Sequence, residues 1–279
     1  MKRVKTAFLI VFGLVTGILW SVAVDAMEYG GGYAATGQLA GVNYSCEIYD
    51  ASNGLPTSDA VYLLCAKDGH MWIGGYSGVI RYDGTVFERL DTSNGLTSAR
   101  ALFEDSQGRL WAGTNDNGVV VIHNQESVHL TYKEGLPASS VRIFAEDGEG
   151  NVFIGTTSGV CYVDSTMQIH TFSDETLDKE RILKMETDST GKIYGQTSNG
   201  ILFSIEHCKI SEVYTSDDLR IEKPATFMLD PNNEGMIYLG TDSSTLYYGE
   251  FGAVGLRLKR ISVAPLEGIH WMSYECGRV

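Results

Sequence analysis

Short apolar runs separated by polar, glycine-rich stretches make up most of the chain, and beyond the first thirty residues they lack the 3.6-residue spacing of amphipathic helices. Three times over, a first run (SDAVYLL, ALFED, SVRIFAED) is followed by a second (MWIGG, LWAGT, VFIGT). A third (VIRYD, VVVIH, VCYVD) and a fourth (VFERL, SVHLTY, MQIHTF) complete each set. Their β-branched and aromatic content predicts strands. Four strands of about five residues with four connections of about five fill roughly 42 residues. The third runs, Val119 to Ile122, Val160 to Val163 and Ile201 to Phe203, are nearly continuous in apolar residues. That predicts sheets covered on both faces, since a one-sided sheet would alternate.

The sets recur with one period. An aromatic-glycine cassette appears as DGHMWIGGYSGV (68–79), QGRLWAGTNDNGV (107–119) and EGNVFIGTTSGV (149–160), with weaker copies TGKIYGQTSNGI (190–201) and EGMIYLGTDSSTL (234–246). The leading glycines, Gly69, Gly108, Gly150, Gly191, Gly235 and Gly277, lie 39 to 44 residues apart. A second marker, NGLP at 53–56, NGLT at 94–97 and EGLP at 134–137, keeps the same interval. A four-stranded unit of this length is one blade of a β-propeller. Leucine-rich repeats are shorter and helical repeats need helical spacing. The expected fold is therefore all-β: a β-propeller of four-stranded blades over 44–279, about five full blades plus the start of a sixth, with the ring incomplete in this chain. Tyr44 to Tyr49 reads as an orphan fourth strand ahead of the first blade. Ser173 to Met185 reads as a longer blade-to-blade connection, with a helix start as the alternative.

Within the cassette, Trp72, Trp111, Phe153, Tyr194 and Tyr238 share one slot, where a large ring can fill the wedge between radially arranged blades. Gly74, Gly113, Gly155 and Gly240 follow two residues later, as a close backbone approach requires; the fourth copy has Gln196 there. Asp105, Asp147 and Asp188 precede the cassette glycine by three, a turn position at which a carboxylate bonds its own backbone. All three sets read as structural.

The first 26 residues are a separate matter. Lys2, Arg3 and Lys5 precede the uncharged stretch Ala7 to Val24, and Val24-Asp25-Ala26 offers small residues for cleavage after Ala26. Residues 1–26 are thus a signal peptide or N-terminal anchor, and 27–43 a flexible leader. Both place the rest outside the cytoplasm.

Charge and cysteine content narrow the partners. Apolar residues make up 43% of the chain, which excludes disorder, and the net charge of −14 opposes binding to a phosphate backbone, so nucleic acid is not an expected partner. Cys46, Cys65, Cys161, Cys208 and Cys276 show no CxxC spacing. They read mostly as buried thiols, with one bridge left open. The six histidines contain no HxxxH pair, so no metal site and no cofactor is expected. Gly75-Tyr76-Ser77-Gly78 lacks the last glycine position of a nucleophile elbow, and no glycine-rich stretch carries the Lys-Ser/Thr of a phosphate loop.

The string GLP, an apolar first strand, then D-x-x-G-x-(L/V)-(W/F)-(I/A)-G-T-x-x-G-V resembles the two-component regulator propeller repeat, from about Asn53 to Thr245. The resemblance implies the extracytoplasmic sensory part of a bacterial membrane receptor. A transmembrane helix and a cytoplasmic histidine kinase or diguanylate cyclase would follow, absent from this sequence, so the chain reads as the N-terminal part of a longer receptor or a truncated product. It also implies an oligosaccharide or other small polar ligand, membrane attachment through the N-terminal anchor or a further helix, and homodimerisation in the full-length receptor.

The fold class puts a ligand where inner strands and their entry loops surround the central channel. Counting back from the cassette glycines, Arg100 and Arg142 fall at equivalent points of adjacent blades, with Val61 in the first blade. Asp59, Ser98 and Ser140 stand beside them at the channel entry. Two inward guanidiniums could hold carboxylates or sugar hydroxyls. The plainer alternative is that these five residues cap turns or pair with nearby acids. The function expected is a non-catalytic ligand-sensing module. The alternatives are a secreted propeller enzyme, a lyase or glycan hydrolase, or a scaffold for protein association.

Overall fold

The computed structural model describes residues 36–39, 42–45, 48–57, 59–90, 95–124, 126–251 and 257–261. After a hairpin of β1 (Thr36–Leu39) and β2 (Val42–Ser45), the chain forms five four-stranded antiparallel sheets in sequence. Blade one holds β3 (Ala60–Cys65), β4 (Met71–Gly75), β5 (Gly78–Tyr82) and β6 (Phe87–Arg89). Blade two holds β7 (Ala99–Glu104), β8 (Leu110–Thr114), β9 (Val119–His123) and β10 (Glu126–Leu130). In blade three these are β11 (Val141–Glu146), β12 (Val152–Thr156), β13 (Val160–Val163) and β14 (Ile169–Thr171). Blade four has β15 (Ile182–Thr187), β16 (Ile193–Thr197), β17 (Leu202–Glu206) and β18 (Lys209–Tyr214). Blade five has β19 (Pro224–Leu229), β20 (Met236–Thr241), β21 (Leu246–Glu250) and β22 (Arg257–Ile261). Each blade is a meander, and the first strands of successive blades, β3, β7, β11, β15 and β19, lie against one another as the inner strands.

The wedge aromatics join consecutive blades. Trp111 of β8 is fully buried among Val141, Phe144, Val152 and Ile154 of blade three. Phe153 packs on Ile182, Met185 and Ile193 of blade four, and Tyr194 on Phe227, Ile237 and Leu239 of blade five. Truncating one such ring to alanine costs about 3–5 kcal/mol. The second and third strands are buried throughout their inner ends, which is why those runs carry no polar alternation.

The glycine slot is a close approach. A Cβ on Gly113 would lie 2.6 Å from Val141 Cγ1, and one on Gly155 would lie 2.8 Å from Ile182 Cγ2, both on the next blade's inner strand. Blade four solves the same contact differently. Buried Gln196 donates from Nε2 to Pro224 O at 3.0 Å, while the neighbouring Gly195 leaves room for the Phe203 ring.

One expectation changes. Tyr44 and Ser45 end the β1–β2 hairpin instead of forming an orphan fourth strand, and Ile48 to Asp50 is not a strand. A partner a few residues away closes with far less entropy loss than a distant blade. The connection reading of Ser173 to Met185 holds up to Arg181, without a helix: Leu177 and Asp178 N–H groups bond Asp174 O in one turn, buried Leu177 anchors it, and β15 starts at Ile182. Among the described residues a helix forms instead at α1 (Ser216–Leu219), capped by Thr215 and Asp218. Among the described cysteines, Cys161 is buried, Cys208 partly buried and Cys65 exposed, so the buried-thiol reading holds fully for Cys161 alone. Cys46 and Cys276, the signal or anchor 1–26 and the start of a sixth blade lie outside the described residues.

Candidate ligand site at the inner-strand entry

Every inner strand carries the same irregularity. The register of the first strand shifts between Ala60 and Tyr62, Ala99 and Ala101, Val141 and Ile143, Ile182 and Lys184, and Pro224 and Thr226. One residue per blade is left out of the ladder: Val61, Arg100, Arg142, Leu183 and Ala225. A bulge bends the strand and re-aims the extra side chain. Arg100 and Arg142 are therefore bulge residues, and this is the physical basis of their equivalence.

Each reaches back to the preceding blade. Arg100 Nη2 donates to Tyr76 Oη at 2.7 Å, with the guanidinium carbon 4.8 Å from the Tyr76 ring centroid. Arg142 Nη2 lies 3.4 Å from Asn115 Oδ1. Tyr76 and Asn115 are themselves equivalent, each being the first residue after the second strand of its blade. In blade two that position is set by Thr114, whose hydroxyl donates to Gly118 O and accepts from Asn117 N–H, closing the turn.

The entry residues form a second ring of equivalent positions. Ser98, Ser140, Arg181 and Lys223 each accept through the main-chain oxygen from the first residue after the second strand: Asn115, Thr157, Ser198 and Asp242. Asp59 holds the same position in blade one; it is exposed, and its N–H donates to Thr57 Oγ1 at 3.2 Å. Ser98 sits in the left-handed region at φ 51°. Arg181 takes the entry position one blade on from Arg142: burial first, then the Arg181 and Arg100 guanidiniums, push the Arg142 pKa below its usual range, and only Tyr76 opposes them. Arg181 was missed by counting back from the cassette glycine, which lands on Leu183. Its signal was the slot shared with Ser98 and Ser140, two residues earlier.

The site is polar and incompletely paired. Arg100 Nε, Arg142 Nε and Ser140 Oγ are buried atoms with no hydrogen-bond partner among the described residues. No ion pair there joins either arginine to a carboxylate. The structure thus brings Arg100, Arg142 and Ser140 together with Tyr76, Asn115 and Arg181, and it gives Asp59 and the Ser98 side chain no bond to the arginines.

The other end of the inner strands has the opposite sign and is fully engaged. Glu104 accepts from Lys67 N–H at 2.7 Å, Glu146 from the Ser106 N–H and hydroxyl, and Glu186 from Leu229 N–H at 2.8 Å. These carboxylates latch neighbouring blades together. A separate apolar crevice between blades four and five, lined by Tyr194, Gly195, Leu202, Phe227, Ile237 and Phe251, is too tight for water. Among the described residues no group of three or more His, Cys, Asp or Glu is placed to hold a metal, and no helix is long and apolar enough to cross a membrane.

Comparison with known proteins bears on the fold and the repeat. The family model described as two component regulator propeller matches residues 95–116, which run from the blade-two GLT marker to the turn after β8. No curated protein matches the sequence at a significant level. Among solved structures, the extracellular domain of BT4673 from B. thetaiotaomicron, described as a one component system, superposes with a TM-score of 0.63 at 17% identity, covering 79% of this chain and 32% of that one. The virginiamycin B lyase from Staphylococcus aureus superposes with a TM-score of 0.61 at 11% identity, covering 82% and 77%. This chain thus spans about a third of the BT4673 extracellular domain. With its five meander blades and its recurrent cassette, the chain is an all-β, propeller-type protein whose residues 95–116 match the two component regulator propeller model.

Proposed function

We propose that this chain is the extracytoplasmic ligand-sensing propeller of a signal-transduction receptor, and that its ligand binds at the inner-strand entry around Arg100 and Arg142. One observation carries the reading: two bulge arginines of adjacent blades hold buried Nε donors without partners. Unmade buried hydrogen bonds are costly, on the order of 1–3 kcal/mol each, so a site retaining two of them gives up stability in a way that a binding role for the guanidiniums explains. The repeat match and the fold shared with the extracellular domain of BT4673 support the location and the role. Polar groups beside an exposed tyrosine ring suit a carbohydrate or another small polar ligand. Signal output would reside elsewhere in the receptor.

A propeller enzyme is the competing reading, prompted by the lyase fold likeness. The site is made of guanidiniums, a phenol, an amide and a hydroxyl, a set suited to binding, and among the described residues no carboxylate is hydrogen-bonded to it as acid–base work would need. The test is a thermal-shift panel of sugars, amino acids and short peptides on the full chain and on an Arg100→Ala, Arg142→Ala double variant. A ligand class that raises Tm in the parent but not the variant, and is recovered chemically unchanged, supports the proposal. Shifts that survive the double substitution, or ligand recovered cleaved, overturn it.

A further inference from the structure

We infer that the ligand is an organic polyanion, carrying two or more carboxylate or sulfate groups, held by an arc of Arg100, Arg142 and Arg181 from three successive blades. This deepens the sensing proposal and rests on it. The three side chains come from two equivalent sets of positions, the bulge and the entry, on blades packed side by side. Blade four exchanges them: where blades two and three have serine at the entry and arginine at the bulge, blade four has Arg181 at the entry and Leu183 at the bulge. The arc therefore continues into a third blade although the bulge arginine is gone. The Ser198 N–H bond to Arg181 O fixes that residue at the same level as Ser98 and Ser140.

The arc stands out electrostatically. In a chain of net charge −14, three guanidiniums gather at one end of the inner strands. Arg142 feels both of the others, and no carboxylate is among the groups acting on it. Nearby acids have other roles. Glu180 binds the Asn199 amide through both oxygens, at 2.9 and 3.0 Å, and Glu104, Glu146 and Glu186 are at the opposite strand ends. Asp59 and Asp116 are exposed and form no ion pair with the arc among the described residues. A single anion could neutralise one guanidinium and would leave the repulsion between the others. A ligand with several anionic groups relieves all of it, and charge-assisted bonds to guanidinium are among the strongest available. Tyr76, 56% exposed beside Arg100, offers a ring face to the ligand's carbon skeleton.

The probes are galacturonate trimers, the neutral galactose trimer of matched length, citrate and inorganic sulfate, each titrated calorimetrically into the full chain. The galacturonate trimer or citrate is expected to bind, with the neutral trimer and sulfate at least about tenfold weaker. Raising NaCl from 50 to 500 mM should weaken binding severalfold through screening. Arg181→Ala should cost about tenfold, and Arg181→Lys less. Arg181 is exposed at its strand end, so its loss should leave Tm unchanged and separate binding from folding. Lys209→Ala, on an outer strand, should leave affinity unchanged. Neutral-trimer binding that needs Arg100 and Arg142 but ignores Arg181 and salt overturns the polyanion and leaves the sensing proposal intact. Failure of both galacturonate and citrate to bind also overturns it, whatever the wider panel shows.

Discussion

Asp105 and Trp111 are hydrogen-bonded: the indole Nε1 donates to Asp105 Oδ2 at 2.8 Å, with both side chains completely buried. The turn aspartate and the wedge aromatic, two separate markers of the repeat, are therefore one device. Asp105 Oδ1 also accepts from the Gln107 and Arg109 N–H groups, closing the turn that starts β8. The device recurs with phenol donors, as Tyr194 Oη to Asp188 at 3.2 Å and, from a neighbouring strand, Tyr248 Oη to Asp230 at 2.6 Å.

This bond makes stability depend on acid. Burial alone would raise the Asp105 pKa, but hydrogen bonds from Trp111 and Arg109 and the Arg109 charge outweigh it, and the net shift is downward. A carboxylate whose folded pKa is depressed adds stability that is complete above its unfolded pKa of about 3.9 and is lost as pH falls through the folded value. Urea unfolding should show Asp105→Asn less stable than the parent by about 3 kcal/mol at pH 7. The gap should narrow below about pH 4. A gap independent of pH would show that the charge is not what stabilises the turn.

Gly113→Ala should destabilise by about 1–3 kcal/mol, because its Cβ would sit 2.6 Å from Val141 Cγ1 and 3.1 Å from Phe144 Cε2 across the blade boundary. Val141→Ala in the same chain should recover part of the loss by removing the obstructing methyls. Thermal melts of the two single variants and the double variant measure the coupling directly.

Arg142→Leu should raise Tm while abolishing ligand binding. Leu183 already occupies the equivalent bulge in blade four, so the slot accepts leucine. The substitution removes a buried Nε without a partner and the repulsion from Arg100 and Arg181. Trading stability for a functional group is common at binding sites. An unchanged or lower Tm would mean that the Asn115 contact outweighs both penalties.

Thiol labelling should separate the cysteines. Burial pushes the Cys161 thiol up to about 12, and it packs inside the blade-three core, whereas Cys65 is exposed. At pH 8 an alkylating reagent followed by peptide mass spectrometry should modify Cys65 in the native chain and Cys161 only after denaturation. Native labelling of Cys161 at a rate matching Cys65 would contradict the packing between blades two and three.

Much of this architecture is written in the sequence, because a repeated unit reports the same local requirement several times. A run such as LWAGT must be a buried strand, Gly113 must face another backbone element, and Trp111 must fill a wedge; three or more copies of each turn a weak local signal into a strong one. Arg100 and Arg142 were legible for the same reason, both lying at one distance from a cassette glycine. What escaped is whatever depends on neighbours remote in sequence or on register. The bulge, which decides that Arg100 leaves the ladder, appears only once β7 is paired with β8. Arg181 joined the cluster through a slot two residues away, visible only when Ser198 bonds it as Asn115 bonds Ser98. Tyr76 and Asn115 entered the site across blade boundaries. Strand, turn and wedge follow from short-range patterning, whereas convergence of side chains from several blades is a property of packing around an axis, and only the assembled sheets fix it.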